Sequence, residues 1–100
     1  MKNNIFNHEK IPISGEIFQI LLKRKDIVIE KIISSNLIPD KEYIQDHDEW
    51  VLLIDGHAEL LMDNKVITLT QGDYLFIESG VSHKVLTTTK GTLWLAIHLY

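Results

Sequence analysis

A chain of 100 residues that is 45% hydrophobic can build one domain with a core of its own, and its lack of cysteine excludes a disulfide framework and a zinc–thiolate centre. Its net charge is −4, and the one basic cluster, Lys23-Arg24-Lys25, reads as a solvated turn rather than the basic face that a nucleic-acid partner requires. No run reaches the ~20 apolar residues of a membrane span, and the opening MKNNIFNHEKIPIS lacks the apolar stretch of a secretory signal, so no membrane and a cytoplasmic location are expected.

The first fifteen residues read as an extended arm containing Pro12, and residues 16–100 as one β-rich unit, so residues 1–100 form a single domain. In GEIFQILLKRKD, Phe18, Leu21 and Leu22 recur at helical spacing behind a possible cap at Ser14. The capping-box position holds Ile17 rather than Glu or Gln, and Gly15 would fall in the first turn. A hairpin with strands over 17–22 and 27–34 and a turn at 23–26 fits better, with a short helix as the alternative. Pro39-Asp40 marks a turn, 42–45 a short strand, and Asp46-His47-Asp48 another turn.

Residues 50–54 form an apolar run closed by Asp55-Gly56, a hairpin signal, and 58–62 return. Turns at 63–65, 70–73, 78–82 and 90–91 separate strands over 66–69, 74–77, 83–88 and 93–99. Eight or nine short strands without a helical crossover predict an all-β antiparallel barrel or sandwich. Two strands are apolar on both faces. Trp50, Leu52 and Ile54 oppose Val51 and Leu53, while Leu93, Leu95, Ile97 and Leu99 oppose Trp94 and Ala96. The second face needs a cover, either the N-terminal segment or a second copy, so a homodimer is expected.

Two glycine-anchored patterns carry the chemistry. The first ends in Glu49, six intervening residues and Gly56; the second is Gly72, Gly80 and His83 within GDYLFIESGVSH. Together they resemble the two motifs of the cupin family, G-x5-H-x-H-x(3,4)-E-x6-G and G-x5-P-x-G-x2-H-x3-N. The histidine positions of the first motif fall on Tyr43 and Gln45, and its leading glycine on Leu37; Glu78 and Thr87 replace the proline and asparagine of the second. The resemblance spans about residues 40–90 and implies a small antiparallel β-barrel of the jelly-roll type.

Position by position, the resemblance implies a metal site at Tyr43, Gln45, Glu49 and His83, suited to one divalent transition metal such as Fe, Mn, Zn, Ni or Cu. Glu49 and His83 are strong ligands, Gln45 a weak one, and Tyr43 a poor one that fits better as a ligand-pocket residue. His98, in phase with Trp94 and Ala96, either completes the set or is a buried histidine bonded to a neighbouring strand. The expected metal residues are therefore Glu49, His83, Gln45 and His98. An inward Glu49 needs a partner, His83 or a metal. His47 reads as a solvated turn histidine, and His8 and His57 as surface residues; Trp50 and Trp94 read as packing or dimer contacts. Ser82 and His83 are adjacent on a strand, which points their side chains apart and excludes a serine–histidine nucleophile pair.

The expected function is a polar pocket for a small-molecule ligand, with or without a metal. One alternative is a metal-dependent oxygenase, isomerase or lyase, and another a metal-free structural dimer with a vestigial site.

Overall fold

The computed structural model describes residues 1–8 and 10–100; Glu9, within the predicted arm, lies outside the described residues. The protein is all-β, with nine strands among the described residues: β1 Glu16–Lys23, β2 Ile27–Ser34, β3 Glu42–Tyr43, β4 Asp48–Asp55, β5 His57–Met62, β6 Lys65–Thr70, β7 Tyr74–Ile77, β8 His83–Thr88 and β9 Thr92–Leu99. A five-stranded sheet in the order β1-β2-β9-β4-β7 faces a four-stranded sheet in the order β3-β8-β5-β6. Every pairing is antiparallel, and the two sheets form a jelly roll.

Local chemistry accounts for the turns. The β1–β2 hairpin forms in place of the alternative helix, its ends joined by a bond from the Arg24 amide to the Ile27 carbonyl at 2.8 Å. Asp63 and Asn64 both take left-handed φ values, +53° and +60°, the requirement of a two-residue hairpin turn that matches strand twist. Gly56 sits at φ +105° beside β9, where a Cβ would lie 2.5 Å from Thr92 Oγ1 and 2.8 Å from its Cα. Only glycine allows that approach. The predicted strand over 42–45 shrinks to Glu42 and Tyr43, because beyond them the chain peels away from β8.

Alternation along the strands fills the space between the sheets. Leu53, Ala58, Leu60, Leu69 and Trp94 form one buried cluster, and Val51, Ile77 and Ala96 a second. Burying Leu53 completely contributes about 2–3 kcal/mol from its apolar area. On the outer face of the large sheet, the N-terminal arm supplies part of the expected cover. The Lys31 ammonium is buried there and donates to the Asn7 carbonyl at 2.9 Å, and Ile11 packs beside Gly91. No helix among the described residues is long and apolar enough to cross a membrane.

Candidate functional site

The inward residues of both sheets leave a cavity of about 290 Å³ beside the packed core. The large sheet contributes Glu16 and Phe18 from β1, Glu30 and Ile32 from β2, Glu49 and Val51 from β4, Ile77 from β7, and Trp94 and His98 from β9. The small sheet contributes Tyr43, Leu60, His83 and Val85, and Gln45 enters from the β3–β4 loop. The five residues singled out from sequence, Glu49, His83, Gln45, His98 and Tyr43, thus line one cavity.

Strand register explains the convergence. Glu49 pairs with His98 across β4 and β9, and Tyr43 pairs with His83 across β3 and β8. The latter two rings stack at 5.8 Å between centroids with 21° between planes. The two glycine-anchored motifs are also joined through the backbone. Gly80 donates its N–H to the Gln45 carbonyl at 2.7 Å, and Ser79 donates its N–H to Asp48 Oδ1 at 2.8 Å. The second glycine turn therefore holds the loop that carries Gln45 and leads to Glu49.

His98 lines the cavity, and both of its ring nitrogens are engaged by neighbours. Its Nε2 bonds to Glu30 Oε1 at 3.2 Å, and its Nδ1 to His47 Nε2 at 2.9 Å. His47 departs from the solvated turn histidine expected for it. Its side chain is only 13% exposed, because it stacks on Tyr100 at 4.3 Å as well as bonding to His98. Two cavity residues, Glu16 and Glu30, escaped the sequence reading. Glu16 accepts a hydrogen bond from Ser34 Oγ, which in turn accepts from Trp94 Nε1 at 2.9 Å. Trp94 is buried packing, as expected, and also part of the cavity wall.

The electrostatics are acidic. Among the described residues, three carboxylates line the cavity and no lysine or arginine does. Burial, and secondarily the nearby Glu30 charge, raise the Glu16 carboxyl above its ordinary value despite the Ser34 bond. Burial, then the Glu16 charge, likewise raise the Tyr43 phenol, which stays a neutral hydroxyl. Glu49 is 6% exposed, and among the described residues no side chain pairs with its carboxylate. Gln45 Oε1 is buried without a hydrogen-bond partner. His83 Nδ1 lies 3.3 Å from the Val81 carbonyl, so in a neutral ring that nitrogen donates and Nε2 keeps its lone pair.

A resident transition metal fits this donor set poorly. Among the described residues no group of three or more histidine, aspartate or glutamate side chains is arranged to hold an ion. The expected set of Glu49, His83, Gln45 and His98 lines one cavity. His98 is committed to Glu30 and His47, and Gln45 offers only a neutral amide oxygen.

The cupin domain family profile matches residues 39–98. A comparison with curated proteins finds no match. Among solved structures, a protein of Ralstonia eutropha JMP134, named provisionally a mannose-6-phosphate isomerase, is 33% identical, with a TM-score of 0.88 over 99% of this chain and 97% of that one. An RmlC-like cupin from Shewanella frigidimarina NCIMB 400 is 18% identical, with a TM-score of 0.78 over 98% of this chain and 91% of that one. KdgF from a Halomonas species is 14% identical, with a TM-score of 0.80 over 92% of this chain and 87% of that one. These last two likenesses speak for the fold alone. The jelly roll, the spacing of the two glycine-anchored motifs and the profile match together make this chain a member of the cupin family.

Proposed function

We propose that this cupin is a small-molecule binding protein whose ligand sits in the cavity between the sheets and which needs no resident metal to hold it. The observation that carries the reading is a pair of acceptors that line the cavity without partners among the described residues: the carboxylate of Glu49, a residue 6% exposed, and the buried Gln45 amide oxygen. Leaving buried polar groups unpaired costs roughly 1–3 kcal/mol each, a cost that a bound molecule would offset. Apolar walls with a few convergent polar groups are the usual make-up of such sites. Tyr43, through its neutral hydroxyl, and His83 orient the molecule.

The test is a fragment screen followed by amide NMR. Hits are expected to shift Gln45, Glu49 and His83 together and to lose affinity in His83→Ala; hits that map elsewhere on the surface overturn the reading. Elemental analysis of untagged protein purified without chelator separates the metal alternative. Less than about a tenth of an equivalent of any transition metal is expected. A full equivalent that is lost in His83→Ala would replace this reading with the metal-dependent one.

The same proposal includes a homodimer. β1 lies at the edge of the large sheet and presents Ile20 and Leu21 at 56% and 44% exposure, so a second copy has both an open edge and an apolar surface to cover.

A further inference from the structure

We propose that the cavity selects a small organic cation, with a primary ammonium group seated against Glu49 and a short apolar body against Val51, Leu60, Ile77 and Val85. This rests on the reading of the cavity as the ligand site, and it names the chemical class that the site takes. Three observations lead to it. Three acceptors inside the cavity have no partner among the described residues, the Glu49 carboxylate, Gln45 Oε1 and, in the neutral ring, His83 Nε2, beside two unpartnered donors, the Tyr43 hydroxyl and Gln45 Nε2. A ligand that satisfies the acceptors must bring N–H or O–H donors. The basic groups of the wall are two imidazoles, with no lysine or arginine, and His98 already faces Glu30. Glu49 is thus a buried acid without a counter-charge, which a cation would supply and an anion would oppose. The remaining lining is aliphatic and aromatic, which suits a carbon chain rather than a heavily hydroxylated or phosphorylated body.

A sugar phosphate, the substrate in the name of the 33% identical Ralstonia eutropha protein, is a different class of ligand. A phosphate carries charge that favours guanidinium or ammonium partners, and this cavity offers neither.

The test compares three molecules of nearly the same shape, n-butylammonium, 1-butanol and butyrate, with mannose 6-phosphate as a fourth. Binding to the full chain is measured by calorimetry and amide NMR at about pH 8, above the ordinary imidazole range, in the presence of EDTA. Butylammonium is expected to bind saturably and at least about tenfold more tightly than 1-butanol. The amide signals of Gln45, Glu49 and His83 should move. The preference should disappear in Glu49→Gln, which keeps the side-chain shape and removes the charge. Butyrate and mannose 6-phosphate are expected not to bind.

Butylammonium that binds no better than 1-butanol, or equally well in Glu49→Gln, overturns the cation proposal while leaving the cavity as a ligand site. Tighter binding of either anion overturns it as well. If all four molecules leave the cavity signals unmoved, the cavity reading itself fails along with it.

Discussion

Glu49 and Gly56 show how single residues set this site. The glycine lets β4 turn into β5 against Thr92, and the glutamate enters the cavity seven positions earlier on the same strand. Gly56→Ala should therefore cost about 3 kcal/mol, from the left-handed φ and the collision with Thr92 together. Gly72→Ala carries only the strain of φ +89°, since nothing lies within 4 Å of its added carbon, and should cost about 1 kcal/mol. Urea denaturation of the two variants checks this; equal losses would contradict the close-packing account.

Glu16 gives a pH-dependent prediction. Its folded pKa lies above the ordinary 4.5. The folded state therefore holds the proton more tightly than the unfolded chain. That contribution is fully present below 4.5 and is lost as pH rises through the folded value. Glu16→Gln should raise the melting temperature at neutral pH and change it little at about pH 4. A gain of the same size at both pH values would contradict the burial argument. Glu49 and His83 could be found from sequence because fixed offsets from glycine turns mark them. Glu16 and Glu30 could not, because an acid in phase on a strand looks the same whether its face meets solvent or a cavity.

At the scale of elements, alternation and turn chemistry made most strands legible. The strands expected over 50–54, 74–77 and 83–88 reappear as β4, β7 and β8, with β4 extended at both ends. The hairpin reading of residues 17–34 holds: β1 pairs antiparallel with β2 along its length, as Ile and Phe enrichment favours. What the pattern could not reveal was where β3 ends and the burial of the His47 side chain. Both depend on distant partners, β8 for one and His98 with Tyr100 for the other. β4 is the element on which core and cavity both depend, since Val51 and Leu53 pack inward on the strand that carries Glu49. Leu53→Ala should cost about 3 kcal/mol in a thermal or urea melt. A loss below about 1 kcal/mol would contradict the close packing of Leu53 in the core.

For the whole molecule, the two sheets divide the interior into a dry core and an acidic cavity, while the arm covers part of the outer face and leaves β1 open. Light scattering should give twice the chain mass, and Ile20→Lys should return the monomer with the fold intact; a wild-type monomer at high concentration would contradict the homodimer. The central claim is that Glu49 and His83 face one shared ligand cavity. Side-chain NMR of the His83 and His98 rings and the Glu49 carboxyl during addition of n-butylammonium chloride tests it most directly. All three signals are predicted to move together and saturate at one concentration. Movement confined to Lys31 and Asn7 beneath the arm, with both rings and the carboxyl unchanged, would contradict it.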